Sequence, residues 1–93
     1  MVEINDKNYE IEVVKHKGKV VLDVWAPWCG PCLSFKPVFN AAEGKHPDYK
    51  FCTANADEFN AMDLLNVEHV PSVIVFDNGK EVMRGGVEVL EKL

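Results

Sequence analysis

Residues 20–32 read Val20-Val21-Leu22-Asp23-Val24-Trp25-Ala26-Pro27-Trp28-Cys29-Gly30-Pro31-Cys32, and this stretch decides the fold. The segment Lys19–Trp25 is β-branched and apolar almost throughout, which predicts the central strand of a sheet, buried on both faces between parallel neighbours. From Cys29 to about Glu43 apolar residues recur at helical spacing, and Gly44 is expected to end the helix. The stretch therefore predicts a buried strand that turns directly into the longest helix of the chain.

Shorter segments on either side of this stretch show strand and helix patterns in turn. The predicted strands are Val2–Ile4, Tyr49–Asn55, Ser72–Phe76 and Glu81–Met83, and the predicted helices are Tyr9–His16 (capped by Asn8 and stopped by Gly18), Glu58–Leu65 (ending at Asn66) and Val87–Leu93. The residues of Tyr9–Val13 also alternate like a strand, which leaves that alternative open. Asn78-Gly79 between two apolar runs predicts a hairpin. The order βαβαβαββα predicts an α/β protein with one mixed sheet and helices on both faces.

Length and composition indicate one folded domain over residues 1–93. The chain has 93 residues, 47% of them hydrophobic and 27% charged, as is usual for a globular domain. Ten Lys and Arg against fifteen Asp and Glu give a net charge of −5, which argues against nucleic acid as a partner. The most apolar stretch, Val20–Cys29, is far shorter than the roughly 18 to 20 apolar residues of a membrane span. Acidic residues follow Met1 where a secretory signal has positive charge, so we expect a cytosolic protein if the chain is as synthesised. We also expect a monomer without a membrane partner.

Two of the three cysteines, Cys29 and Cys32, form a Cys-x-x-Cys pair at the start of the predicted long helix. Free backbone N–H groups and the positive end of the helix dipole stabilise a thiolate there, which favours Cys29 as a nucleophile. The three-residue spacing places Cys32 on the same helical face, within reach for a disulfide. Pro31 fits the first helical turn, where its missing N–H costs little. The third cysteine, Cys52, is expected to be an inert buried thiol.

A zinc half-site and two idle thiols are the alternative interpretations of this pair. A structural zinc ion needs four ligands, but His16, His46 and His69 are scattered and no second Cys-x-x-Cys occurs. The pattern therefore favours redox chemistry over metal binding. No metal or bound cofactor is expected, because the cysteine pair can itself carry the electrons.

The sequence resembles the thioredoxin family over nearly the whole chain. Residues 20–32 look like that family's central strand and active-site loop, Pro37 like its helix-kinking proline, Val70-Pro71-Ser72 like its cis-proline loop, and Phe76-Asp77-Asn78-Gly79 like its hairpin. The resemblance implies the thioredoxin fold, reduction of cytosolic protein disulfides, and recharging by a thioredoxin reductase. The implied substrate contacts are Trp28, Gly30, Pro31, Val70, Pro71 and Gly86. A cis bond before Pro71 would turn the Val70 backbone toward Cys29, as an edge on which an extended substrate segment pairs.

Three departures from that family's pattern bear on rate, pH dependence and stability. Thr53 stands where the family often has a lysine facing its buried aspartate. His69, with Glu68 beside it, stands next to the proline loop where a small residue is common, and a charged imidazole there would disfavour an apolar substrate surface. The final helix is short, because the chain ends seven residues after Gly86.

Asp23 interrupts the apolar strand six residues before Cys29. Val21 and Trp25 share its face of the strand, which predicts a buried carboxyl group rather than an edge strand with one face in water. Burial raises the pKa of a carboxyl group, and without a lysine opposite nothing evident in the sequence lowers it again. Asp23 is therefore a candidate proton acceptor for Cys32.

Thiol–disulfide exchange is the predicted mechanism. The Cys29 thiolate attacks a substrate disulfide, and Cys32, assisted by Asp23, attacks the Cys29 sulfur and releases reduced substrate. One alternative is a non-enzymatic docking module that uses an apolar patch around Trp28, Val70 and Pro71, with incidental thiols. Another is an oxidase or isomerase of disulfides, although Gly30-Pro31 resembles the reducing members of the family.

Overall fold

Five strands form one sheet in the computed structural model, which describes residues 1–93. The strands are β1 (Val2–Ile4), β2 (Lys19–Trp25), β3 (Tyr49–Asn55), β4 (Ser72–Asp77) and β5 (Lys80–Gly85), and their order across the sheet is β1-β3-β2-β4-β5. β3 runs parallel to both β1 and β2, whereas β4 runs antiparallel to both β2 and β5. The mixed sheet and the order of its elements are as the sequence predicts.

β2 is the central strand, as predicted, but only one of its two neighbours is parallel. Its residues from Val20 to Val24 are all buried, because elements cover both faces of the sheet. An apolar run of residues indicates that a strand is buried on both faces, but it does not indicate the direction of the neighbouring strands. β2 is buried in the same way beside the parallel β3 and the antiparallel β4. The expectation of parallel strands on both sides is therefore wrong for β4.

Helices cover both faces of the sheet, which confirms the predicted α/β architecture. The long helix α1 (Gly30–Glu43) packs Phe35 and Phe39 into the cluster that contains Val21 of β2. The short helix α2 (Ala61–Leu65) packs on the opposite face with Val20, Leu22 and Val24. Side chains alternate across a strand, so Asp23 and Trp25 lie on the α1 face with Val21.

The first predicted helix is much shorter than Tyr9–His16 and is not an α-helix. A π-helical turn spans Glu10–Val14, and it is held by the wide bond from the Lys15 N–H to the Glu10 carbonyl. The Asn8 side chain does not cap it, because its oxygen accepts a hydrogen bond from the Asn5 N–H and its amide donates to the Glu3 carbonyl. Val13 is the one buried residue of the turn, which leaves little apolar contact to stabilise a longer helix.

The other two short helices also differ from their predicted bounds. α2 begins at Ala61 rather than Glu58, because Asn60 caps it by accepting a hydrogen bond from the Asp63 N–H, and it ends at the left-handed Asn66 as expected. The last segment is a 3₁₀ helix over Val87–Lys92. α1 ends at Glu43 with Gly44 as its C-cap, as predicted, and it contains Pro37; a kink at that proline stays a prediction. No helix has both the length and the apolar character needed to cross a membrane.

The turn between β4 and β5 is the two-residue hairpin that Asn78-Gly79 predicts. Both residues have positive φ, 52° at Asn78 and 83° at Gly79, as a type I′ turn requires. The Asn78 side chain accepts a hydrogen bond from the Gly18 N–H, and the Asn78 N–H donates to the Gly18 carbonyl. A side chain at Gly79 would come far inside van der Waals contact with the Val14 carbonyl oxygen. Hydrogen bonds and close packing therefore hold the hairpin against the segment that leads into β2.

We expect Gly79→Ala to lower the free energy of unfolding by about 2 kcal/mol, because it combines a left-handed backbone with a clash against main chain. Gly44→Ala is the matched control, since Gly44 has φ of −69° and its nearest neighbouring atom would lie 3.9 Å from the added carbon. Urea unfolding of both variants checks the prediction. Equal midpoints for the two would contradict this role of Gly79.

Candidate active site

The two cysteines of the pair lie at the junction of β2 and α1. Cys29 is the N-cap residue of α1, with extended backbone, and Cys32 lies in the first turn. Their Cα atoms are 5.2 Å apart and their sulfurs are joined in a disulfide. The structure therefore places the pair where the sequence predicts it, in the oxidised form.

The two sulfurs differ in access and in hydrogen bonding. Cys29 is 7% exposed and Cys32 is 0% exposed, so a partner can reach only Cys29. The Cys32 N–H donates to the Cys29 sulfur over 3.2 Å, an interaction that stabilises negative charge on Cys29 once the disulfide opens. This geometry suits Cys29 as attacking thiolate and Cys32 as the buried thiol that attacks second.

The loop before β4 forms one wall beside Cys29. The Val70–Pro71 peptide bond is cis, as the resemblance implies, and the Val70 carbonyl oxygen lies 3.8 Å from the Cys29 sulfur. The Ser72 hydroxyl donates to the His69 carbonyl over 2.6 Å, which ties the two ends of this loop together. Val70 therefore presents a backbone acceptor next to the sulfur that a substrate reaches.

A groove of about 390 Å³ opens between this loop and α2. Its apolar wall is formed by Trp28, Phe59, Ala61, Met62, Val67 and Val70, and its polar rim by Asn60, Glu68 and His69. Trp28 is 71% exposed, and its indole N–H donates to the Asp57 carboxylate over 3.2 Å. The groove is therefore a mainly apolar surface that begins at the residue preceding Cys29.

Asp23 is buried, as its alternation with apolar neighbours predicts. It is 1% exposed, and its Oδ1 atom has no hydrogen-bond partner. Val21 packs with Phe35, whereas Trp25 packs with the two cysteines, so the first turns of α1 lie over Asp23. Burial raises the pKa of Asp23 from 3.8 to about 7, which makes the carboxylate a proton acceptor near neutral pH.

Lys36 is a charged neighbour of this site that the sequence analysis missed. Its ammonium nitrogen lies 3.6 Å from the centroid of the Trp25 ring, and its charge lowers the pKa of Asp23, against the larger effect of burial. The expectation that nothing lowers this pKa is therefore wrong. The helical spacing of Cys32 and Lys36 was the signal available, because residues four apart lie on the same helical face.

Two other polar atoms on the Asp23 face of the sheet are buried without a hydrogen-bond partner. They are the Trp25 indole nitrogen and the Thr53 hydroxyl oxygen. Thr53 is aligned with Asp23 across the parallel pair of β2 and β3, which puts both side chains on the α1 face. The carboxyl group of Asp23 thus has a hydroxyl group, and not a second charge, beside it on β3.

The remaining predicted contact residues surround the same end of the sheet. Gly30 and Pro31 are exposed at the start of α1. Gly86 follows Gly85, which pairs with Val73 of β4, so Gly86 lies at the end of the sheet that carries the proline loop, but it does not line the groove. Its N–H donates to the Glu88 carboxylate over 3.0 Å.

The third cysteine lies apart from this site. Cys52 is a buried free thiol on the α2 face of β3, packed with Ile4 and Leu22. Burial raises the pKa of its thiol to about 11, so it holds its proton at neutral pH. Nowhere do three or more His, Cys, Asp or Glu side chains form a group that could hold a metal ion.

Comparison with known proteins identifies the family of this chain. The family model described as Thioredoxin matches residues 1–92. The chain belongs to the thioredoxin family. Among its relatives, the thioredoxin of Mycoplasma genitalium is 35% identical over 74 residues, which are 78% of this chain and 72% of the relative. The thioredoxin of Buchnera aphidicola is 30% identical over 95 residues, covering 100% of this chain and 87% of the relative.

Other thioredoxin relatives are longer than this chain. The chloroplastic thioredoxin M2 of Arabidopsis thaliana is 36% identical over 80 residues, which are 84% of this chain but 43% of that protein. Membership of the thioredoxin family, together with the joined sulfurs of Cys29 and Cys32, makes this protein a thiol–disulfide oxidoreductase. Its reaction is dithiol–disulfide exchange, and the cysteine pair is the redox centre.

Proposed function

We propose that this protein reduces disulfides in other proteins and is returned to its dithiol form by a thioredoxin reductase. The observation that carries the proposal is the difference between the two sulfurs: Cys29 is reachable and accepts the Cys32 N–H, while Cys32 is enclosed. A substrate disulfide can therefore approach Cys29 only, beside the Val70 carbonyl oxygen. Cys29 is the proposed nucleophile, Cys32 the resolving thiol, and Asp23 the acceptor of the Cys32 proton.

The docking surface proposed for substrate is the groove together with the exposed start of α1. Trp28 and Val70 line the groove next to Cys29, while Gly30 and Pro31 are exposed directly after it; Pro71 and Gly86 lie at the same end of the sheet. The proposed partners are protein disulfides with an apolar residue near the reactive cysteine, because the groove is mainly apolar. We propose that the protein works as a monomer.

We propose the cytosol as its compartment. The buried free thiol of Cys52 and a centre that delivers electrons suit a compartment with a supply of reductant. The Arabidopsis relative is a chloroplastic protein, and this location belongs to that protein alone. Fractionation of cells that carry the protein tests this proposal, and recovery in an organelle or outside the cell would contradict it.

Turbidity of insulin in the presence of dithiothreitol tests the reductase activity. We expect this protein to accelerate precipitation of the insulin B chain, and NADPH with one of a panel of thioredoxin reductases to replace dithiothreitol. The double variant Cys29→Ser/Cys32→Ser is the control. A wild type no faster than that variant would favour the docking module, whose binding would survive both substitutions.

The groove makes a separate prediction about affinity. Met62 is exposed at the groove, so Met62→Ser should raise KM for a protein disulfide about fivefold, as loss of about 1 kcal/mol of apolar contact does. Turnover of a small disulfide such as oxidised glutathione should not change. Leu64→Ser is the matched control, because Leu64 is an exposed residue of α2 that does not line the groove. Equal KM values for the two variants would remove the groove from the docking surface.

A further inference from the structure

The positive charge that acts on the buried carboxyl group of Asp23 comes from the helix that carries the cysteines. Lys36 follows Cys32 by four residues, so the two side chains are neighbours on one face of α1. The Lys36 ammonium lies over the Trp25 ring at 3.6 Å, and Trp25 shares its face of β2 with Asp23. The Cys32 sulfur and the Lys36 ammonium therefore both lie against Trp25, on the face of β2 that also carries the buried carboxyl group of Asp23.

The other elements packed around Asp23 bring no second charge to it. β3 contributes Thr53 and β4 contributes Val73, the residues aligned with Asp23 in the sheet. From α1 the facing groups are the Cys32 sulfur, the apolar Phe35 and the Lys36 ammonium. Lys36 is the one charged group that acts on the Asp23 carboxyl group.

This placement matters for the second step of the proposed reaction. The Cys32 thiol gives its proton to the Asp23 carboxylate, and the resulting thiolate attacks the Cys29 sulfur of the mixed disulfide. The bond between Cys29 and the substrate sulfur breaks, and the Cys29–Cys32 disulfide forms. The substrate leaves as a thiolate that takes a proton from water, so the substrate is reduced and the cysteine pair is oxidised. The step requires Asp23 to be ionised beforehand.

We propose that Lys36 is a positioning residue that keeps the Asp23 carboxylate ionised for proton transfer from Cys32, with its ammonium held over Trp25. The cation–π contact fixes the charge beside the buried site while the ammonium stays partly in water, which limits the cost of its desolvation. Lys36 acts through its charge on Asp23 and not through contact with either sulfur. The inference rests on the proposed function only for its kinetic consequence.

A titration of Asp23 itself tests this role without any substrate. In the oxidised protein the paired cysteines do not titrate, so the ¹³Cγ chemical shift of Asp23 reports its ionisation alone. We expect Lys36→Met to raise the midpoint by about one pH unit. Lys36→Arg should keep the wild-type midpoint, because it keeps the charge. Lys45→Met is the matched control, since Lys45 is exposed beyond the end of α1. Should Lys36→Met not fold, Lys36→Gln replaces it.

The rate of substrate release gives the kinetic test. A one-unit shift lowers the ionised fraction of Asp23 at pH 6.5 about eightfold, so resolution of the mixed disulfide should slow by that factor in Lys36→Met and recover above pH 8.5. In an Asp23→Asn background the same substitution should change nothing. An unchanged Asp23 midpoint in Lys36→Met, or an equal shift in Lys36→Arg, would overturn the inference, whether or not the protein reduces insulin.

Discussion

Cys29→Ser abolishes disulfide reduction, whereas Cys32→Ser stops the reaction halfway and accumulates covalent mixed disulfides. This asymmetry is the expected result because Cys29 is the sulfur that a partner can reach, while Cys32 is enclosed and acts only after a mixed disulfide has formed. Non-reducing gel electrophoresis with mass spectrometry of the adducts measures both outcomes. Cys52→Ser is the control, since a buried thiol on the other face of the sheet should leave the rate unchanged.

The rates of alkylation of the two thiols provide an independent check of the same assignment. In the reduced protein at mildly acidic pH, iodoacetamide should label Cys29 first, because a thiolate at a helix N-terminus persists where an ordinary thiol is protonated. Faster labelling of Cys32 would reverse the roles of nucleophile and resolving thiol. It would leave the oxidoreductase family assignment intact, because that rests on the whole chain.

Asp23→Asn should raise the stability of the protein at neutral and alkaline pH while it slows substrate release. Burial raises the pKa of this carboxyl group from 3.8 to about 7. Between these two pH values the folded protein holds a proton on Asp23 that the unfolded chain has released. Stability therefore falls as pH rises from about 4 to about 7, by on the order of 4 kcal/mol, and stays reduced above that range. Asparagine carries no charge and removes this penalty.

The net gain is smaller than the full penalty, because a buried amide without a partner costs about 1–3 kcal/mol. We expect Asp23→Asn to be more stable than wild type by about 2 kcal/mol at pH 8 and to lose this advantage at pH 4. Single-turnover release of substrate at pH 7 should slow about 100-fold, the usual scale for loss of a general base. Urea unfolding at both pH values and rapid-quench kinetics measure the two effects.

Asp48→Asn is the matched control for Asp23→Asn, because Asp48 is an exposed carboxylate whose nearest cation, Lys19, lies 3.9 Å away. It should leave both stability and rate close to wild type. If Asp23→Asn behaved in the same way, the carboxyl group would be neither an energetic cost nor a proton acceptor. Greater stability with an unchanged rate would confine Asp23 to a structural role.

The central part of the fold could be predicted from sequence because several signals agree there. The apolar run of β2, the helical spacing after Cys29 and the Asn78-Gly79 turn each depend on contacts close in sequence or on burial over both faces. The direction of β4 beside β2 could not be predicted in this way, since a strand buried on both faces has the same composition with either kind of neighbour.

The short helices were harder to predict because few residues decide them. The turn at Glu10–Val14 buries one side chain, and Asn8 uses its amide group for Asn5 and Glu3 instead of capping a helix. α2 begins after Asn60 and not at Glu58, because the Asn60 side chain caps the helix by accepting a hydrogen bond from the Asp63 N–H. Local hydrogen bonds of this kind leave no periodic pattern in the sequence.

The candidate site was predicted in part for the same physical reasons. Cys29, Cys32 and the buried Asp23 follow from spacing and alternation along one chain segment. Lys36 did not, because its influence on Asp23 depends on how α1 crosses β2 and where its long side chain finds the Trp25 ring. The groove beside Trp28 also depends on three separate segments meeting in space.

A single-turnover stoichiometry experiment tests most directly whether the Cys29–Cys32 pair carries electrons to a protein disulfide. Fully reduced protein is mixed anaerobically with an equal amount of insulin, quenched with acid, alkylated and mapped by mass spectrometry. We expect one Cys29–Cys32 disulfide for each insulin disulfide opened, with Cys52 still a free thiol. Opened insulin disulfides without formation of the Cys29–Cys32 bond, or with Cys52 oxidised instead, would contradict it.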